Sequence, residues 1–319
     1  SLSFDAQTNL LTRYGYLYAD PVTGDSEIAQ TYSAYRTIGK LKLPGSRVLY
    51  NSGGVIQEAE YTDLQINTKP AESVFAGPEG FEKLAAPPAT PPPPAVSKLA
   101  EDVYILQGLA GGTHNVLFVA FNDHILVFEA PEQILYGSNS VQALAKIKET
   151  VPGKPIKYLV LTHHHSDHAG GFREYVAEGA TIVTTANTRA FLEKAVGQSS
   201  LLPKSSKPNK LSIETIENKK RVFQDDKHVV EIYDIGPNPH ANEILIAYLP
   251  KEKILFQADL LNAAPNGTIP IAQDSTISFS ERLQQLGLQV EKIYGVHGRA
   301  ATPDELRTSI EKRRASDLK

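Results

Sequence analysis

The sequence predicts an α/β fold, two sheets sandwiched between helical layers, with a smaller strand-rich segment in front of it. Three observations lead there. From about residue 97 onward, short apolar runs alternate with amphipathic segments. Six prolines fall within residues 87–94, a composition that favours extended polyproline II without hydrogen-bonded structure. Upstream, residues 1–86 hold seven of the 14 tyrosines and place Tyr14, Tyr16 and Tyr18 at the period-two spacing of a strand. The expected division is a β-rich segment over 1–86, a Pro-rich linker over 87–96 and an α/β domain over 97–319.

In the first segment, Asp20-Pro21 and Asn51-Ser52-Gly53-Gly54 supply turn chemistry between strands. The stretch Asn67 to Phe81, with Phe75, Gly77, Pro78 and Gly80, resembles the last strand and tail of the curved-sheet domains of some exported bacterial lipoproteins. After the linker, Val103–Leu106, Val116–Phe121 and Ile125–Phe128 read as strands, and Val141, Leu144, Ile147 and Val151 mark a helical face. Lys157–Leu161 is a buried strand, Phe172–Glu178 a short helix, Thr181–Thr184 a strand and Thr188–Val196 a helix. Strands follow at Val229–Tyr233, Ile244–Leu249 and Ile254–Phe256, with one more entering at Ile293. Thr302-Pro303-Asp304-Glu305 is a capping box with Pro at the first helical position. Lys204–Arg221 interleaves Lys with Glu and Asn and is expected to be a solvated surface.

Composition removes several function classes. Lys plus Arg is 32 against 36 Asp plus Glu, a net charge of -4, so there is no basic field for a phosphate backbone and nucleic acid is not expected as a partner. No apolar run approaches the about 18 residues that span a bilayer. Cys is absent, which excludes disulfides, thiolate metal sites, Fe–S clusters and a cysteine nucleophile. A transition metal must therefore be held by His and carboxylate. Met and Trp are absent too, so the chain reads as a restricted alphabet, and its start at Ser1 reads as a processed chain. A periplasmic or secreted location is the expectation.

The chemistry is concentrated in Thr162-His163-His164-His165-Ser166-Asp167-His168-Ala169-Gly170-Gly171, directly after a buried strand. In extended chain, residues i and i+2 share a side, so His163 and His165 can offer two imidazoles to one ion while His164 points elsewhere. Asp167 and His168 can reach a second ion. Distant partners must complete such sites from strand ends at the same edge, and His240, Asp259 and His297 each sit just past an expected strand. Four imidazoles and a carboxylate within six residues would be costly to desolvate in a core without a metal.

The spacing His-x-His-x-Asp-His, here His163, His165, Asp167 and His168, followed by a later His, Asp and His in order, resembles the metallo-β-lactamase superfamily over roughly residues 97–319. The resemblance implies a four-layer αβ/βα sandwich with metals at one edge. It implies that His163, His165 and His240 bind a first ion, that Asp167, His168 and His297 bind a second, and that Asp259 bridges them. Ala258 stands where the family often has Gly, and the third His lies in Pro-His-Ala rather than Gly-His-Thr. Asp259 replaces the Cys of some lactamase subclasses, and His165 stands where the di-iron flavoprotein branch has Glu.

A His and Asp donor set without thiolate suits two Zn²⁺, with Fe or Mn also accommodated. The implied reaction is hydrolysis of a small-molecule carbonyl substrate (lactone, β-lactam, ester or thioester) by a hydroxide that the ions generate, with Asp167 holding or relaying the proton. The alternative is a non-catalytic metal-binding or interaction module that retains the fold. His114, His124 and His228 are read as hydrogen-bonded core histidines. Glu129 is read either as an acceptor orienting a ligand His or as an ordinary strand-end carboxylate. Gly108–Thr113 is a flap or a hairpin loop, and Tyr136 and Asn242 are surface residues near the same edge.

Overall fold

A computed structural model describes residues 1–77, 93–132, 139–196 and 210–317, which fall into two compact units, 1–77 and 93–317. All counts of elements below refer to these described residues.

The first unit is a five-stranded antiparallel sheet in the order β1-β2-β3-β6-β7 with a small β4-β5 hairpin. Its strands are β1 (Leu2–Phe4), β2 (Leu11–Asp20), β3 (Gly24–Ser33), β4 (Arg36–Ile38), β5 (Leu41–Leu43), β6 (Ser46–Asn51) and β7 (Gly54–Glu60). Asp20 closes the β2–β3 turn, its Oδ1 accepting the N–H groups of Val22 and Thr23 at 2.8 and 2.7 Å. Ser52 and Gly53, at φ 49° and 84°, form the left-handed pair that a two-residue hairpin requires. The strand expected from Asn67 does not form. Asn67 takes φ 58°, Pro70 has no N–H to give a ladder, and the chain runs irregularly into a 3₁₀ turn at Glu72–Val74. Residues 78–81 lie outside the described residues, as does most of the expected linker.

The second unit holds two sheets. One runs β14-β13-β12-β11-β10-β9-β8, the other β15-β16-β17-β18-β19. The first is built from β8 (Ala95–Ala100), β9 (Val103–Gly108), β10 (His114–Ala120), β11 (Ile125–Phe128), β12 (Ile156–Val160), β13 (Thr181–Thr184) and β14 (Ile213–Thr215). The second comprises β15 (Lys220–Gln224), β16 (Val229–Asp234), β17 (Leu245–Leu249), β18 (Ile254–Gln257) and β19 (Lys292–Gly295). Helices are α1 (Leu109–Gly112), α2 (Asn139–Thr150), α3 (Ser166–Ala169), α4 (Phe172–Ala177), α5 (Ala186–Val196), α6 (Asp274–Leu286) and α7 (Pro303–Asp317).

Period two along the strands makes the layers. In β17, Leu245, Ala247 and Leu249 enter an inter-sheet core with Leu117, Val119, Phe128, Val160 and Phe256. Their neighbours Ile246 and Tyr248 turn to a second core with Phe279 of α6 and Leu306 of α7. The expected sandwich is therefore present. The capping box also forms: Thr302 donates its N–H to Glu305 Oε2 at 2.9 Å and Glu305 returns one to Thr302 Oγ1 at 3.3 Å.

Three regions differ from expectation. Helix α6 has no counterpart in the sequence reading, because its opening Asp-Ser-Thr-Ile-Ser is poor in apolar residues and the buried Phe279 stands alone at its centre. The described part of the Lys-rich stretch carries β14 and the start of β15, where Lys220 pairs with Glu231 at 2.7 Å and Arg221 with Glu214. Strand β8 begins at Ala95, inside the stretch expected as linker.

At one edge the two sheets are laced by main chain. The Asn115 N–H donates to the Val296 carbonyl at 2.7 Å, and the Leu245 N–H to the Thr162 carbonyl at 3.0 Å. The histidine-rich loop leaves from this edge.

Candidate metal centre

Each donor residue is delivered by a local device. Beyond β12, Thr162 donates its N–H to Glu129 Oε1 at 2.9 Å, which fixes the chain as it enters His163. His165 is extended, with ψ 148°, and caps α3, whose single turn presents Asp167 and His168. Gly171 lets α2 approach: a Cβ there would lie 1.6 Å from Ser140 Oγ. His240 is held by an Asx turn, its N–H donating to Asn238 Oδ1 at 2.9 Å. Asp259 follows β18 at φ 63°, a left-handed conformation that Gln257 supports by accepting the N–H groups of Leu260 and Leu261 at 2.7 and 3.2 Å. His297 follows β19.

The seven expected donors come together. His163 Nε2 lies 2.9 Å from His165 Nδ1 and 3.2 Å from His240 Nε2. Asp259 Oδ2 is 3.4 Å from His163 Nε2 and 3.1 Å from His240 Nε2. On the other side, Asp167 Oδ2 is 3.5 Å from His168 Nε2 and 3.4 Å from His297 Nε2. Asp259 also reaches this group, Oδ2 lying 2.7 Å from His168 Nε2 and Oδ1 3.1 Å from His297 Nε2. Asp259 thus belongs to two donor groups, one with His163, His165 and His240 and one with His168 and His297. His164 is outside both, its ring 5.0 Å from that of Phe191.

Protonation follows the surroundings. Burial opposes ionisation of Asp167 and Asp259, but the imidazoles around them outweigh it and hold both carboxyls below the usual carboxylate range. Burial, reinforced by neighbouring imidazoles, pushes His163 well below its ordinary value and His165 below it. At His297 burial is outweighed by Asp167 and Asp259, which raise it to about 9. A proton and a divalent cation compete for that carboxylate field.

The donor set fits a divalent cation. Tetrahedral bonds of about 2.0–2.1 Å to nitrogen separate donors by about 3.3 Å, close to the spacings above. His168 Nε2 and Asp259 Oδ2 are buried and 2.7 Å apart, yet neither has a hydrogen-bond partner. His168 and His297 each direct Nδ1 at an oxygen outside the centre, Glu129 Oε2 at 3.0 Å and the Thr113 carbonyl at 3.3 Å, so that Nε2 faces inward.

Of the two readings for Glu129, the orienting one is what the geometry shows: it is fully buried and bridges Thr162 and His168. His124 stacks on Phe121 at 5.0 Å, and His228 Nε2 meets the Glu101 carbonyl at 3.0 Å, as core histidines do. His114 is different. It is buried, but its Nε2 lies 3.8 Å from Asp167 Oδ2 and its ring 4.4 Å from that of His297. The signal was strand direction: β10 is antiparallel to β11, so a residue that opens β10 lies at the edge where β11 and its parallel partner β12 end. Gly108–Thr113 is the β9–β10 connection, containing α1. Asn242 is exposed, and Tyr136 lies outside the described residues.

Comparison with known proteins agrees with this geometry. The family model described as metallo-beta-lactamase superfamily matches residues 137–297, just over half of the chain. A metallo-β-lactamase from Pontibacter korlensis is 20% identical with a TM-score of 0.52, covering 69% of this chain and 99% of its own. The metallo-β-lactamase FIM-1 from Pseudomonas aeruginosa, solved in a mono-zinc form, is 17% identical with a TM-score of 0.52 over 72% of this chain and 99% of its own. DIM-1 metallo-β-lactamase is 16% identical with a TM-score of 0.53, over 70% of this chain and 98% of its own. These structures share the fold. The chain belongs to the metallo-β-lactamase superfamily of metal-dependent hydrolases.

Proposed function

We propose that this protein is a dinuclear hydrolase of small carbonyl substrates, a lactone, β-lactam, ester or thioester, loaded with two Zn²⁺ or, by availability, Fe or Mn. The observation that carries the reading is the buried pair His168 Nε2 and Asp259 Oδ2, in close contact yet without a hydrogen bond, inside two donor groups that share Asp259. His163, His165 and His240 would hold one ion, Asp167, His168 and His297 the other, and Asp259 both. Bound there, a divalent pair supplies a water-derived nucleophile at neutral pH and polarises the carbonyl oxygen.

The chain's own residues do the rest. Glu129 holds the His168 ring in one orientation and the Thr113 carbonyl holds His297. Asp167 is 34% exposed while His163 and His168 are fully buried, so its carboxylate faces both the centre and solvent. As water adds to the carbonyl carbon and the bond to the leaving group breaks, Asp167 would take the water proton at Oδ1, the oxygen not turned to His168 and His297, and pass it to the leaving atom. The donor set lacks anything that selects the acyl group, so the substrate is chosen by the surrounding loops.

The test is elemental analysis of the purified protein, followed by lactone, β-lactam, ester and thioester panels with and without chelator. Two equivalents of metal and chelator-sensitive turnover of a carbonyl substrate are expected. A metal-free protein, or turnover indifferent to complete metal removal, overturns the reading.

A further inference from the structure

The donors to the second cation come from both sheets. Asp167 and His168 follow β12 of the first sheet, whereas Asp259 and His297 follow β18 and β19 of the second. Their spacing is therefore set by how the sheets meet at this edge. A metal constellation must be held to within about 0.5 Å, yet the apolar core between the sheets is held by a force without direction. Directional cross-ties are needed, and Asn115 makes those beside His297.

Asn115 stands second in β10 and is buried. Its N–H donates to the Val296 carbonyl at 2.7 Å, and its Nδ2 donates to the Gly295 carbonyl at 3.0 Å and the Gly298 carbonyl at 2.9 Å. Carbonyls only accept, so the amide must turn its NH₂ group to them, and both of its hydrogens are used. The three accepting residues flank His297 in the chain, so Asn115 grips the backbone on both sides of the donor. That backbone cannot retreat into its own sheet. A Cβ on Gly295 would lie 2.6 Å from Gln257 Nε2, and one on Gly298 2.2 Å from the Ala263 carbonyl oxygen. At the first site the cross-tie is a different one, from the Leu245 N–H to the carbonyl of Thr162, which immediately precedes His163, at 3.0 Å. The two ties serve different cations.

We propose that Asn115 is a positioning residue for the second cation, setting the distance of His297 from Asp167 and His168 through the backbone on either side of His297. Loss of its side-chain donors frees two carbonyls of the second sheet while leaving the tie at Thr162 intact, so the effect falls on one site. The inference rests on the metal reading proposed above and adds a residue that the His-x-His-x-Asp-His spacing does not supply.

The test uses the full chain loaded with ¹¹³Cd²⁺, whose resonance reports the donor geometry of each site. Two signals are expected, the first-site signal being the one lost in His163→Ala. In Asn115→Ala the second-site signal is expected to move or split while the other keeps its position. Chelator-competition titration of this variant with Zn²⁺ is expected to show the second equivalent weakened about 10–100-fold, the range for residues that orient ligands, and the first within about threefold of the parent. Asn115→Ser keeps one hydroxyl donor and is expected to show a smaller loss in the same direction; if the Ala variant does not fold, the Ser variant decides. Val119→Ala controls for stability alone, because it trims the inter-sheet core from the same strand. It should lower the thermal midpoint and leave the ratio of the two affinities unchanged. Unmoved ¹¹³Cd signals with a parental second equivalent overturn the inference, as does equal weakening of both equivalents or the same selective loss in Val119→Ala; in each case the metal reading stands. A parent chain that binds no metal overturns both.

Discussion

Glu129 receives the Nδ1–H of His168 at 3.0 Å in a pocket where neither side chain is exposed. Its other oxygen accepts the Thr162 N–H at 2.9 Å, so one carboxylate sets both the ring and the start of the loop that carries it. In Glu129→Gln the amide oxygen can serve only one of the two partners. With the oxygen on Thr162, the NH₂ group faces His168 Nδ1, drives the ring hydrogen to Nε2 and blocks the inward donor. We expect about a 10–100-fold loss of affinity for the second cation, read by chelator titration. Glu129→Ala leaves both donors unsatisfied and is expected to cost about 3–5 kcal/mol in urea unfolding. Parental metal affinity in the Gln variant would remove Glu129 from its orienting role.

The alternation of side chains through the histidine run gives a second expectation. His163 is completely buried and within 3.4 Å of three other donors, whereas His164 lies against Phe191. His163→Ala should lose one metal equivalent and hydrolysis with it, and His164→Ala should keep both equivalents. Inductively coupled plasma analysis decides; equal losses in the two variants contradict the division of roles.

Two glycines near the donors are constrained in different ways. Gly298 has φ 78°, and a Cβ there would lie 2.2 Å from the Ala263 carbonyl oxygen. The obstacle is backbone and the conformation is left-handed, so Gly298→Ala is expected to cost about 2–4 kcal/mol and to displace His297, weakening the second cation. At Gly171 the obstacle is the Ser140 side chain, whose Oγ and Cβ lie 1.6 and 2.4 Å from the added carbon. Gly171→Ala should therefore be partly rescued by Ser140→Gly. Thermal melts of the two singles and the double settle the contrast, and absence of rescue places the strain elsewhere.

These constraints show which parts of the protein could be read in the sequence. The seven expected donors were legible because five residues bunch ligand chemistry after one apolar run and the other donors follow strands whose period-two pattern is unmistakable. The sandwich was legible for the same reason, as in β17, where alternate residues serve different cores. His114 was not, because it opens a strand rather than following one, and only the antiparallel course of β10 brings a strand start to the edge where other strands end. Helix α6 was hidden by its Ser and Thr residues, whose burial at Ser275 and Thr276 comes from tertiary packing rather than from apolar periodicity. The 3₁₀ turn at Glu72–Val74 replaced an expected strand because aromatic and glycine content alone does not provide a pairing partner.

Acid stability has a specific source far from the donors. Asp225 Oδ1 accepts the N–H groups of Lys227 and His228 at 2.9 and 2.7 Å, and Oδ2 accepts that of Asn122 at 2.9 Å, tying the end of β10 to the β15–β16 turn. His228 Nδ1 stands 3.3 Å from Oδ1. Burial raises this carboxyl, but the three backbone donors outweigh it and hold it below the ordinary range. A depressed folded value means stability that is present above the unfolded value of about 3.9 and is lost as pH falls through the folded one. Asp225→Asn should lower stability at neutral pH by about 1 kcal/mol, and its urea midpoint should converge with the parent's at the acid end. A gap that persists undiminished there would assign the loss to packing.

The boundary between the units gives the last expectation. We propose that the α/β unit folds without residues 1–77, because the cores described for it draw no residue from that segment. The point of truncation matters. Strand β8 pairs Ala95 with Gln107 and Val96 with Leu106 before continuing at Ser97 with Ile105, so a chain starting at residue 97 removes two positions from the edge strand and exposes the flank of β9. A chain starting at residue 93 keeps the strand whole. The longer piece is expected to melt cooperatively and to bind metal as the full chain does, and the shorter to melt several degrees lower, consistent with the loss of about 1–2 kcal/mol of strand pairing. Failure of both pieces to melt cooperatively would show that the first sheet contributes to the core of the second unit.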